Sequence, residues 1–361
     1  MAEDRLYKEQ GQYKNLNNQD YWQKRSEEKV NKHWDSIKNV EKELAVQYRL
    51  ALDDIRQMVG DLYTKYGTDN KVSYQDAIKQ LNAMEIGDYQ ARLEAIRPII
   101  QQSNDPFLIA EYKKLQQVVK LNRLQALVCQ IDARLLQLGH VQQTTMEDFL
   151  SGVYQSNYYQ TIYMVQSGLG VGTAFALLNE EAIIQAITMP WSGDQFSDRI
   201  WTMKDKLVTS IRQTITQGLI KGESVQKMAK NLKNEMNSSY SNALRLIRTE
   251  TAYTISESTF KGYSESKVVH QYVYLATLDS RTSHVCRKLD NKVYRLEDRQ
   301  VGVNASPMHP NCRSTEMPYF NGADIEESMR IARGRDGKTY YVPASMSYSE
   351  WHKKYVENKG T

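Results

Sequence analysis

The chain has 361 residues, 40% hydrophobic and 25% charged, with a net charge of +4, enough for two or three domains with a sizeable core. No stretch approaches the roughly 20 apolar residues of a membrane span, and the opening MAEDRLYKEQ lacks the basic-then-apolar order of a secretory leader, so the expectation is a protein neither secreted nor membrane-embedded. Three cysteines, Cys129, Cys286 and Cys312, are too few for a disulfide framework and suit a reducing cytoplasm where thiols stay free or bind metal.

The first long pattern is helical. Apolar residues at Val30, Trp34, Ile37, Leu44, Tyr48, Ala51, Ile55, Met58 and Leu62 recur in steps of three and four, which predicts one helix over 20–66. Glu41 is the polar slot in this narrow stripe. The stripe suits a long helical pair or a coiled-coil seam. Gly67 supplies the stop. Helices are predicted next over 74–84, 88–102 and 105–138, the last opening at Asp105-Pro106, with Cys129 as a small core residue. Thr144 to Asp148 has the form of a capped start for a further helix through Tyr154, Tyr158, Tyr159 and Tyr163. Those rings pack in a helix interface or stack on a partner's bases.

Gly168, Gly170 and Gly172 invite comparison with a phosphate loop. No strand pattern precedes them, and the third glycine falls one residue early for the dinucleotide fingerprint; they read as a loop or hinge. Helices follow over 179–188 and 196–217, with a turn at Pro190–Gly193. Val225 to Leu232 reads as a short amphipathic turn and 241–265 as a longer helix carrying Arg248 and Glu250, with a linker between 218 and 240. Strands are predicted over 271–277 and 292–296, with turn chemistry at Asp290-Asn291. A last strand spans 337–343, and a helix over 347–356 presents Tyr348, Trp351 and Tyr355.

The fold expected is therefore mainly α in the N-terminal two-thirds with a small α+β C-terminal module. The boundaries read as an N-terminal extension and long helix at 1–66, a helical domain at 67–222, an α+β module at 223–323, and a hairpin with an aromatic helix at 324–361. Charge divides along the same line. Residues 201–361 carry 25 Lys and Arg against 17 Asp and Glu, and residues 1–200 carry 22 against 26. The C-terminal half is the expected contact for an anionic partner; DNA phosphates are compatible with it but not required.

The densest chemistry lies in 274–320. His284, Cys286, His309 and Cys312 form two short clusters separated by 22 residues, and thiolate with imidazole suits tetrahedral zinc. The alternatives are packed thiols with hydrogen-bonded histidines, or a Cys-His nucleophile. Asp279, Arg281 and Thr282 form a turn after a strand, where Arg281 is expected to fork onto Asp290 or Glu250, with Arg248 a further partner. Pro310 and Arg313 belong to an extended loop crossing the module.

Asp279-Ser280-Arg281-Thr282, Cys286, Leu289-Asp290 and His309-Pro310-Asn311-Cys312-Arg313 together resemble the signature of the phage head-morphogenesis family, the minor head proteins similar to protein F of phage Mu. In some members cysteines stand at the positions of Ser283 and Ser314 here, a departure that bears on the metal. The resemblance implies a low-copy minor head protein of a tailed phage, acting in procapsid assembly at the portal vertex. It would be made in the host cytoplasm, lie inside the virion head and leave with the DNA. The implied partners are the portal protein and a scaffold or major capsid protein, and DNA is a candidate partner. The rival readings are a DNA-binding protein delivered to the host and, further off, a thiol or metal enzyme or toxin-like module. No catalytic set is legible, so the chain is expected not to be an enzyme; zinc is the one candidate cofactor.

Overall fold

The computed structural model describes residues 18–117, 121–170, 175–320, 329–333, 339–343, 346, 350–351 and 353–354. The elements run α1 (Gln19–Tyr66), α2 (Tyr74–Ala77), α3 (Ala83–Glu94), α4 (Arg97–Gln102), α5 (Pro106–Gln116), α6 (Arg123–Leu169), α7 (Glu180–Ile187), α8 (Phe196–Ile220) and α9 (Val225–Ser266). There follow β1 (Gln271–Leu275), α10 (His284–Leu289), β2 (Val293–Arg295), β3 (Thr315–Tyr319), β4 (Met329–Arg333) and β5 (Thr339–Pro343). The protein is mainly helical with a small antiparallel sheet near its C-terminus, as the residue pattern predicts. No described helix is long and apolar enough to cross a membrane.

The helix stops are local chemistry. Asn82 and Glu85 form a reciprocal capping box at α3. Asp105 accepts the N–H groups of Phe107 and Leu108 at α5, with Pro106 at the first helical position. Asn179 accepts Ala182 N–H at 2.8 Å to open α7. Three expectations are corrected. The segment 105–138 is not one helix: α5 ends at Gln116 and α6 begins at Arg123. Thr144 starts no helix; it sits inside α6 with its hydroxyl turned back to the carbonyls of His140 and Val141, because continued helix satisfies the same groups that a cap would. The turn at 225–232 and the helix at 241–265 are one element, α9, since no proline or glycine interrupts 225–261.

Residues Met1–Lys38, Glu147–Trp191 and Arg245–Thr361 make one compact unit, and Asn39–Met146 with Ser192–Leu244 the other. The second is all helical. Its core joins Leu52, Ile55, Val59 and Leu62 of α1, Leu127, Ile131 and Leu135 of α6, Ile211 and Ile215 of α8, and Met228, Leu232 and Met236 of α9. Each set recurs in helical steps, so each helix turns one apolar face inward.

The first unit carries the sheet, in the order β2-β1-β3 with both pairings antiparallel. The register pairs Val273 with Val293 and Met317, and Leu275 with Thr315. Central β1 is buried along Tyr272–Leu275, which makes it a continuous apolar run instead of an alternating one. Trp22 of α1, Val165 and Leu169 of α6 and Tyr263 of α9 pack with Tyr272 and Leu275. Gly168 belongs to this packing and to no phosphate loop: a Cβ there would lie 2.3 Å from the Trp22 ring. Gly170 closes α6 with φ of 73°, while Gly172 lies outside the described residues. Tyr154 and Tyr158 are buried and Tyr163 is 67% exposed. The β4–β5 hairpin pairs Ala332 with Tyr340. Trp351 is buried against Leu278 and Val342; Tyr348 and Tyr355 of the expected aromatic helix lie outside the described residues.

Candidate functional site

Strand β1 delivers the chain to a tight polar turn. The Asp279 carboxylate accepts the Arg281 N–H at 2.9 Å and the Thr282 hydroxyl at 3.2 Å, an Asx turn. Its charge partner comes from the far end of the signature: Arg313 forks onto both carboxylate oxygens, with Nη2 to Oδ1 at 2.9 Å. Burial works to raise the Asp279 pKa, but the Arg313 hydrogen bond and charge outweigh it and hold the group below its ordinary value. Arg281, expected to fork onto Asp290 or Glu250, contributes its backbone N–H to Asp279 and leaves its side chain exposed. Thr277 Oγ1 donates to the Arg313 carbonyl at 2.8 Å, so the turn and the loop are tied twice. Arg313 also lines a cavity of about 220 Å³ with Val30, Trp34, Leu275 and Leu278.

Ser283 then caps α10, accepting the Cys286 N–H at 3.3 Å, and Asp290 receives the Ala276 N–H at 2.9 Å. These contacts aim Cys286 inward. The loop before β3 returns the other ligands: Cys312 N–H donates to the His309 carbonyl at 3.1 Å, and Asn311 N–H donates to Thr249 Oγ1 on α9 at 3.0 Å. Cys286 Sγ lies 3.3 Å from His309 Nε2 and 3.8 Å from Cys312 Sγ, and all three ligand atoms fall within 4.8 Å of one another, a group that can hold a metal ion. His284 is not in this group; it is exposed on the first turn of α10. Pro310 O accepts from His309 Nδ1 at 2.9 Å. A carbonyl can only accept, so the proton sits on Nδ1 and the Nε2 lone pair faces the thiols.

The two thiols influence each other's titration. The Cys286 hydrogen bond pulls Cys312 down, while the Cys312 hydrogen bond and burial push Cys286 upward. Tyr274 donates its hydroxyl to Cys286 at 3.2 Å. Sequence reasoning passed over Tyr274, although its place in β1 before the expected turn is the signal for it. On α9, Glu250 accepts the Trp191 indole N–H at 2.8 Å, and Trp191 stacks on Tyr253 with ring centroids 5.0 Å apart. Arg248 is half-buried on the same helix.

A second polar group in this unit had no sequence signal. Lys29 is buried and donates to Thr161 at 2.6 Å and Thr259 at 2.9 Å. Burial brings its pKa down to about 7 against the charge of Glu316. Glu316 is itself buried and accepts from the Ser306 N–H at 2.6 Å and hydroxyl at 2.8 Å; burial raises its pKa. His33, one turn along from Lys29, is pushed down to about 4 by burial and then by the Lys29 charge.

Residues 209–317, which contain all of these signature positions, match the family model described as Phage Mu protein F like protein. This segment is similar to the members of that family. The Minor head protein GP7 of Bacillus phage SPP1 is 25% identical over 346 residues, covering 91% of this chain and 97% of that protein. An NAD(+)--arginine ADP-ribosyltransferase EFV from Enterococcus faecalis is 25% identical over 303 residues, 76% of this chain and 59% of its own length. No solved structure gives a significant match. The similarity to the transferase overturns the expectation that the chain is not an enzyme. That expectation rested on the lack of a legible catalytic set, whereas the similarity to the transferase runs over 76% of this chain.

Proposed function

We propose that this chain is a minor head protein of a tailed phage, present in few copies and acting at the portal vertex during procapsid assembly. The observation that carries this reading is the similarity to GP7, which spans nearly the full length of both chains. A likeness confined to the 209–317 segment would speak for a shared module; one that includes the long helices speaks for a shared protein. On this reading the chain is made in the host cytoplasm, lies inside the head, and has the portal protein and a scaffold or major capsid protein as partners.

Delivery with the DNA is the second reading, supported by the excess of Lys and Arg in 201–361. Three of those cations sit in ion pairs: Lys261 with Glu265, Arg295 with Glu297 and Arg299 with Glu257. A cation held in such a pair offers phosphates less than a free one. Assembly comes first because the similarity to GP7 spans nearly the full length of both chains.

The test is mass spectrometry of purified procapsids and virions, with copy number calibrated against the portal protein. A few copies per particle support the reading, and absence from both particles rejects it. A gel shift at low and high salt separates the DNA reading, which requires binding that weakens steeply with salt. An NAD+ consumption assay belongs beside it because of the residues shared with the enterococcal transferase.

A further inference from the structure

The Cys286, His309 and Cys312 group can be measured against the two things a pair of buried thiols does: bind a metal or oxidise to a disulfide. Zinc–sulfur bonds of about 2.3 Å at the tetrahedral angle place two sulfurs about 3.8 Å apart, and a histidine nitrogen about 3.6 Å from each sulfur. The sulfurs here are 3.8 Å apart and Cys286 Sγ is 3.3 Å from His309 Nε2. A disulfide needs about 2.05 Å, so oxidation requires the sulfurs to approach by nearly half their separation. For zinc the sulfur pair already stands at the required separation, Cys286 Sγ and His309 Nε2 differ from theirs by about 0.3 Å, and all three ligand atoms lie within 4.8 Å of one another.

The imidazole points the same way. His309 gives its Nδ1 proton to the Pro310 carbonyl, which leaves Nε2 as a lone-pair donor beside Cys286. This outer hydrogen bond is the usual arrangement behind a metal-bound histidine. Nε2 thus faces Cys286 Sγ at 3.3 Å, the orientation a ligand nitrogen needs. Two sulfurs and a nitrogen select zinc over calcium or magnesium, which take oxygen.

We propose that Cys286, His309 and Cys312 bind one zinc ion, with the fourth position taken by water on the half-exposed side where His309 lies. Binding forms two Zn–S bonds and one Zn–N bond, and the protons of the two thiols leave to solvent. The ion ties two segments of the chain together. It joins α10 to the loop before β3, and through Asn311 and Thr249 it fixes that loop on α9. His284 stays outside the ligand set.

The experiment uses the full chain purified without chelator, with zinc, copper and iron measured by plasma mass spectrometry. The expected result is close to one zinc per chain, lost in Cys312→Ser. Because that change also disturbs a buried position, His309→Gln at a half-exposed position is the decisive variant: it keeps the wild-type circular dichroism spectrum and binds zinc at least tenfold more weakly. His284→Gln keeps the zinc. Cobalt substitution should give thiolate charge-transfer and tetrahedral ligand-field absorption. A wild-type chain that remains metal-free after incubation with zinc sulfate and gel filtration overturns the proposal, as does a Cys286–Cys312 disulfide found by peptide mass in freshly purified protein. Stoichiometric copper or iron in place of zinc overturns it as well. None of these outcomes depends on whether the chain is found in phage particles.

Discussion

Gly168 of α6 lies so close to Trp22 of α1 that an added Cβ would meet the indole ring at 2.3 Å, and the ring is fully buried with no free side to retreat to. Gly168→Ala therefore sets an overpacking cost of about 1–3 kcal/mol against a helix-propensity gain of about 1 kcal/mol, and net destabilisation is expected. Gly152, also in α6, has nothing within 4 Å of the same position, so Gly152→Ala should stabilise by about 0.5–1 kcal/mol. Urea denaturation of both variants checks the pair. Equal shifts in the same direction would refute the close approach.

The Asp279–Arg313 fork should control the module's acid sensitivity. Because the folded pKa of Asp279 lies below its unfolded value, the stabilisation is present above the unfolded carboxylate pKa and is lost as pH falls through the folded one. Arg313→Ala leaves a buried carboxylate without its cation, and a loss of about 2–3 kcal/mol is expected at neutral pH. Thermal melts at pH 7 and pH 3 should show the difference between wild type and variant shrinking in acid.

Lys29 predicts the opposite limb. A lysine with an ordinary value of 10.5 lowered to about 7 binds fewer protons in the folded chain between those values. Its penalty is fully present below about pH 7 and fades as pH rises toward 10.5. Lys29→Met should remove that rise and stabilise the protein at pH 7 by about 2 kcal/mol after the two threonine hydrogen bonds are lost. A less stable variant at pH 7 would show that the amine is held by more than it costs.

His33 supplies a window of its own. Its ordinary value of 6.5 falls to about 4 under burial and the neighbouring Lys29 and Lys32 charges, so the unfolded chain takes the extra proton between pH 6.5 and 4 and stability falls across that range. His33→Gln should flatten the decline, as read from denaturant midpoints at pH 7, 6, 5 and 4. An unchanged slope would place His33 in water.

Much of the helical architecture is legible along the chain because it depends on neighbours three and four residues apart. The Val30 to Leu62 stripe predicts α1 nearly to the residue, and Asp105-Pro106 predicts where α5 opens. Thr144 misled because a helix start and a helix interior can both satisfy a threonine hydroxyl. Helix α10 and strand β3 were not foreseen; one is six residues long and the other holds Pro318, and short elements carry too few residues for a period to show.

The sequence by itself determined that this protein is mainly helical with a small α+β end, and that its special chemistry is concentrated between Asp279 and Arg313. Local propensity and residue spacing suffice for that. Only the tertiary structure decided which charged groups meet, giving Asp279 to Arg313, leaving His284 out of the thiol group, and bringing Lys29 within reach of Thr161 and Thr259, 132 and 230 residues away. Such pairings depend on which faces the core turns together, and burial then sets how strongly each charge is felt.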